Sequence, residues 1–199
     1  MASEAGLHAA AAANDAALIE ALLGNGARVD ARDASGRTAL MVAAHADAVD
    51  AARALIAAGA DVNATDNIGD SPYLYAAAEG RLAILRLTLG AGADLGSVNR
   101  YGGTGLIPAC HHGHPDIVRE LLGTDIAIDH VNRLGWTALL ETIILSDGGP
   151  THTGILELLV DAGADVNLAD RDGVTPLAHA EKRGYAGMAR ILKAAGARP

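Results

Sequence analysis

The segment that opens Asp66-Asn67-Ile68-Gly69-Asp70-Ser71-Pro72 and closes Asp94-Leu95-Gly96-Ser97-Val98 reads as a turn, a helix, a reversal, a second helix and a loop. Ser71 can cap a helix whose first residue is Pro72, a position where the missing N–H costs nothing because it would be unpaired anyway. Gly80 stops that helix. Leu82, Ile84, Leu85, Leu87 and Leu89 then supply the apolar side of a second helix, which ends at Gly92, a residue free to take the left-handed conformation that a Cβ would penalise.

Working outward, the same grammar returns at a fixed distance. Gly36, Gly69, Gly102 and Gly135 are each 33 residues apart, and Gly173 follows 38 residues later. Gly26, Gly59 and Gly92, then Gly163 and Gly196, keep the same phase, so a whole structural unit is copied and stacked. Thr38-Ala39-Leu40, Thr104-Gly105-Leu106, Thr137-Ala138-Leu139 and Thr175-Pro176-Leu177 repeat one helix start. Gly59-Ala60-Asp61-Val62-Asn63 and Gly163-Ala164-Asp165-Val166-Asn167 repeat one helix end.

A period running from end to end of 199 residues leaves no room for a separate second domain, and one continuous solenoid is expected. Half of the residues are apolar but only 3% are aromatic and none is Phe, so the interior must be built from Ala, Leu, Ile and Val in thin helix-on-helix layers. The net charge of -9 disfavours a nucleic-acid partner, because phosphate binding relies on clustered Lys and Arg. No stretch approaches the roughly 18 to 20 apolar residues that cross a membrane. Met1 to Gly6 lacks a basic region followed by an apolar run, so the expected compartment is the cytoplasm; a monomer is expected. The lone Cys110 falls in the column of Ala44 and Ala77, where a small buried residue is expected.

These recurring residues resemble the ankyrin repeat, whose pattern runs Asp-x-x-Gly-x-Thr-Pro-Leu-His through two helices to Gly-Ala-Asp-Val-Asn. The resemblance covers essentially the whole chain. It implies an all-α ankyrin-repeat solenoid of about six helix-turn-helix units with β-turn or hairpin tips, divided as 1–32, 33–65, 66–98, 99–131, 132–169 and 170–199, the outer two acting as caps. The Ala- and Gly-rich composition looks like that of a stand-alone bacterial member.

Departures from the pattern bear on function. Pro108 falls about one turn into the first helix of the fourth repeat and should distort its start. Asp125 stands where a Gly is expected, so the turn that follows is irregular. In the fifth repeat the nine residues from Ser146 to Gly154 separate the helices, where Gly80 to Ala83 needs four, and are expected to form a surface loop because Asp-Gly-Gly-Pro cannot continue a helix.

Chemistry finds little foothold. Gly90 to Gly96 is rich in glycine but follows a helix, where a dinucleotide loop must follow a strand, and no nucleophile-elbow, phosphate-loop or zinc-hydrolase motif occurs. Neither a catalytic residue nor a cofactor is expected. The alternative reading is a metal- or small-ligand-responsive protein using His111, His112 and His114, with Asp116 nearby and Asp147 and His152 in the 146–154 loop. Against it, a His after the helix-ending Gly is common in the ankyrin consensus, and His111 and His112 fall at groove positions that also carry His45 and Glu79. Glu141, Asp147 and His152 read as groups that solvate a loop.

The family resemblance implies that turn tips and the exposed side of the first helices line a concave groove used for partner recognition. The candidate partner-binding residues are Ile68, Asp70, Arg100, Tyr101, His111, His112, Arg133, Leu134 and Trp136. Trp136 stands out, since Trp, Tyr and Arg most often carry interface energy. The expected function is that of a non-enzymatic module that binds another protein.

Overall fold

The computed structural model describes residues 2–198; Met1 and Pro199, the outer ends of the two cap repeats, lie outside the described residues. The described residues form twelve helices and no strand, in two compact units, Met1–Asp94 and Leu95–Pro199. The first unit holds α1 (Ala2–Ala12), α2 (Ala16–Gly24), α3 (Ala39–Ala46), α4 (Val49–Ala57), α5 (Pro72–Ala78) and α6 (Leu82–Gly90). The second holds α7 (Leu106–His111), α8 (Pro115–Leu122), α9 (Ala138–Ile144), α10 (Pro150–Asp161), α11 (Pro176–Lys182) and α12 (Ala186–Ala194).

Within the first unit, α3 packs between α1 and α5, and α4 between α2 and α6, so each repeat stacks on its neighbour in two layers. The second unit repeats this, with α9 between α7 and α11 and α10 between α8 and α12. Leu40, Met41, Leu55, Ile84 and Leu85 fill the first core, and Leu106, Ile117, Leu121, Leu140 and Leu159 the second, all fully buried. Each such side chain contributes roughly 1.5–3 kcal/mol of burial. Close-set aliphatic layers therefore do the work that aromatic residues do elsewhere.

Each turn tip is tied by one side-chain oxygen. Asp33 Oδ1 accepts from the N–H groups of Ser35 and Arg37, and Asp66 Oδ1 from those of Ile68 and Asp70. Asn99, Asn132 and Asp170 do the same in the second unit. Only an acceptor is required there, which is why Asp and Asn interchange at this position.

The starts of α3, α5, α7, α9 and α11 follow a second rule, with α7 the exception. Thr38, Ser71, Thr137 and Thr175 each accept a hydrogen bond on the side-chain oxygen from the N–H three residues on, while the backbone carbonyl accepts from the fourth. In the fourth repeat that fourth residue is Pro108, which has no N–H. The Thr104 carbonyl takes the Ile107 N–H instead, at 3.1 Å, and the Thr104 hydroxyl is left buried without a partner. Thus α7 begins one residue late, with Gly105 in the cap position and no side-chain cap. The expected distortion is present, and its cause is a displaced proton donor.

Two other irregular places differ in outcome. Asp125 does not take a positive φ, and α8 ends at Leu122 with Gly123 as its C-cap, so the turn departs from its neighbours as its sequence suggested. The expected surface loop over Ser146 to Gly154 is not what forms. Pro150 to Gly154 are helical, the first five residues of α10, and only Leu145 to Gly149 connect the helices. Pro150 starts a helix here rather than stopping one, because at the first helical position its fixed φ is already correct. With α10 twelve residues long where α6 has nine, three inserted residues extend the outer helix and two lengthen the connection. Tyr185 closes the longer turn, donating its hydroxyl hydrogen to the Ser146 carbonyl at 2.7 Å.

Candidate partner-binding surface

Ile68 and Asp70 lie on one tip of the first unit, and Ile68 is exposed over 53% of its surface. The tip hangs on its neighbour: Asn67 N–H donates to the Ser35 carbonyl at 3.0 Å and Asn67 Nδ2 to the Ala34 carbonyl at 3.2 Å. Behind it, His45 and Tyr75 stack with ring centroids 3.7 Å apart. Burial holds the His45 imidazole below its ordinary pKa, and Nε2 has no hydrogen-bond partner, so the ring serves as a neutral stacking surface.

The second unit carries the other candidates. Tyr101 and Leu134 occupy equivalent places on successive tips and are 54% and 48% exposed. Arg100 lies over the Tyr101 ring, 5.0 Å from its centroid. The arginines also hold the tips together: Arg133 Nη1 donates to the Arg100 carbonyl and Arg171 Nη2 to the Arg133 carbonyl, each at 2.8 Å. Gly102 makes room for this: its φ is 75°, and a Cβ there would come 2.8 Å from Arg133 Cγ and 3.2 Å from the Arg133 backbone nitrogen. Trp136 is half-buried behind the tip, its N–H accepted by Asn132 Oδ1. Arg133 is therefore a structural strut as well as a surface residue.

Sequence reading passed over two exposed valines, Val98 and Val131, at 38% and 47% exposure. They share the 33-residue spacing with Tyr101 and Leu134, and that spacing was the signal that could have found them.

His111 ends α7 and His112 is its C-cap, with ring centroids 4.7 Å apart; His112 and His114 lie 6.2 Å apart edge to face. Burial, then His112 and His152, keep the His111 imidazole below its ordinary pKa. The structure does bring His152 to His111, but as a backbone contact: His152 Nε2 donates to the His111 carbonyl at 3.0 Å. Among the described residues no three His, Cys, Asp or Glu side chains are placed to hold a metal ion. Cys110 is fully buried, which pushes its thiol pKa up and leaves it unreactive.

Glu141 departs from its expected role. It does not solvate a loop but is buried on α9, its Oε1 accepting from Asn132 Nδ2 at 2.7 Å and its Oε2 3.9 Å from His111 Nδ1. Burial pushes its pKa up to about 7, against the opposing effect of the Asn132 hydrogen bond. Its column carries Val42, Tyr75 and Pro108 in the three preceding repeats, and an acid that follows them was the available clue.

No helix of the described residues is long and apolar enough to cross a membrane. In comparisons with known proteins, ankyrin-repeat profiles match residues 7–99, 73–170 and 106–199. A crystal structure of an ankyrin repeat domain from Acinetobacter baumannii AYE is 57% identical, with a TM-score of 0.93 over 96% of this chain and 98% of that one. The ankyrin repeat protein EF0377 is 39% identical, with a TM-score of 0.91 over 96% and 97% of the two chains. The ankyrin repeat protein YahD of Escherichia coli (strain K12) is 48% identical over 59 residues, which span 30% of this chain and only 29% of that relative. Ankyrin repeats are in general non-catalytic units that bind other proteins. With profiles that run through both units and the same fold in bacterial homologues, the chain belongs to the ankyrin repeat family.

Proposed function

We propose that this protein is a non-enzymatic interaction module that binds a partner protein through its turn tips and the inner-helix surface behind them. The observation that carries the reading is the exposure of Tyr101 and Leu134 at equivalent places on neighbouring tips, with Val98 and Val131 exposed on the same two tips. Large apolar side chains held out on a rigid frame lose little entropy on docking. On the second unit Arg100, His111, His112, Arg133 and Trp136 complete the proposed surface, and on the first unit Ile68 and Asp70 are proposed as partner contacts of their own. Residues 1–199 act in this reading as one domain of six repeats, with no catalytic role for any of them.

The test is affinity capture from the source cell with the full chain, followed by measured binding of the captured protein. Trp136→Ala should weaken binding by about 2 kcal/mol or more, roughly thirtyfold, and Tyr101→Ala with Leu134→Ala should do at least as much. Glu157→Ala, on the exposed side of α10, should leave binding unchanged. Melting temperatures are measured alongside. Affinity unaltered in still-folded tip variants would move the binding surface elsewhere.

A further inference from the structure

Glu141 is a buried acid that has no lysine or arginine paired with it among the described residues. Its side chain is only 8% exposed, and among the described residues Asn132 is the one donor within hydrogen-bond distance of the carboxyl group. Oε2 is left with the His111 ring nitrogen at 3.9 Å, too far for a hydrogen bond. In the next repeat the equivalent residue, His179, is fully served: Nε2 donates to Asp170 Oδ2 at 2.7 Å and Nδ1 accepts from Arg183.

The cations on the elements next to α9 are already committed. From α11, Arg183 donates to His179 and to the Ile144 carbonyl. From the tips, Arg133 and Arg171 donate to the carbonyls of Arg100 and Arg133. From α7, His111 is kept neutral by burial and by its histidine neighbours, and the Cys110 thiol is protonated. Burying a carboxyl group without a cation is costly, and the cost is relieved when one arrives.

We propose that Glu141, with the adjoining rings of His111 and His112, forms a receptor for one guanidinium group, an arginine side chain of the bound protein. Oε2 accepts from the guanidinium N–H groups while the planar cation stacks on the exposed His112 ring, whose plane is tilted 55° to that of His111 beside it. An ammonium group would gain the charge pairing but not the stacking. The assignment rests on the interaction-module reading in naming a protein as the source of the arginine, and it gives that partner a stated chemistry.

The experiment uses the full chain and N-acetyl-arginine amide as probe, with N-acetyl-lysine amide and N-acetyl-citrulline amide beside it. Imidazole and carboxyl resonances are followed by NMR. The arginine amide should perturb His111 and His112 saturably and move the Glu141 titration to lower pH. Lysine amide should bind several-fold more weakly, and uncharged citrulline amide at least about tenfold more weakly. Glu141→Gln, close in shape, should lose the arginine response, and its melting curve reports that it folds; His112→Ala, at an exposed site, should weaken arginine without changing lysine. Equal responses to arginine and citrulline, or an undiminished response in folded Glu141→Gln, would overturn the site, and lysine binding as well as arginine would overturn the guanidinium assignment. Because the probe needs no partner, its failure leaves the tip surface standing. Conversely, Tyr101→Ala with Leu134→Ala should leave the arginine response intact.

Discussion

Asn132 and Glu141 are joined by a hydrogen bond of 2.7 Å from Nδ2 to Oε1, while Asn132 Oδ1 holds the tip by accepting from the Leu134 and Trp136 N–H groups. One amide thus fastens the turn with its oxygen and satisfies the buried acid with its nitrogen. The next repeat makes the same connection with the polarity exchanged, Asp170 to His179 at 2.7 Å.

Replacing Asn132 by Asp separates these two duties. Asn132→Asp keeps the oxygen that ties the turn but sets a carboxylate against Glu141, and it should destabilise the chain by about 2 kcal/mol at neutral pH. Asn99→Asp, where the opposite residue is Pro108, should change stability by less than about 0.5 kcal/mol. Denaturant unfolding of the two variants makes the comparison.

The pH dependence has a defined sign. Glu141 is raised from its ordinary 4.5 to about 7, so the folded chain holds this proton more tightly than the unfolded chain. Its contribution is fully present below about pH 4.5 and is lost as pH rises through about 7. His45 and His111, held low, act oppositely, their contribution being lost as pH falls. The difference between the stability curves of wild type and Glu141→Gln isolates the acid: the variant should gain relative stability between those two pH values. A constant difference across that window would show that Glu141 does not titrate there.

The displaced donor in the fourth repeat gives a third expectation. Thr104→Val removes a buried hydroxyl that has no partner and should be neutral or stabilising, whereas Thr137→Val removes a working cap and should cost about 1 kcal/mol. In a Pro108→Ala background the Thr104 carbonyl regains the N–H four residues on, which frees the Ile107 N–H for the hydroxyl. Thr104→Val should then become costly, and a double-mutant cycle reads the change.

Gly148 tests how the inserted turn is held. Its φ is 71°, and a Cβ there would lie 2.5 Å from the Tyr185 ring. Gly184 has nearly the same φ, 72°, with nothing within 4 Å of a would-be Cβ. Gly184→Ala should therefore show the backbone cost alone, about 1 kcal/mol, and Gly148→Ala roughly twice that or more. Thermal unfolding distinguishes them, and equal losses would mean that Tyr185 gives way freely.

The sequence by itself determined the repeat, its helix pairs and the identity of nearly every turn, because those depend on local rules that recur in phase. Ser71, Pro72 and Gly92 each specify a conformation through their own chemistry, and the period shows that the rules apply in every copy. Even the damage done by Pro108 was legible, since a missing N–H is a covalent fact. Tertiary structure decided what depends on neighbours. Pro150 opens a helix instead of closing a loop, and the turn before it is closed by Tyr185, 35 residues further along the chain. Arg133 became a strut because the carbonyl of Arg100 lies within reach, and Glu141 became a buried acid because α7, α11 and its own tip enclose it. Burial and pairing are properties of the packed surroundings, and no residue's own identity contains them.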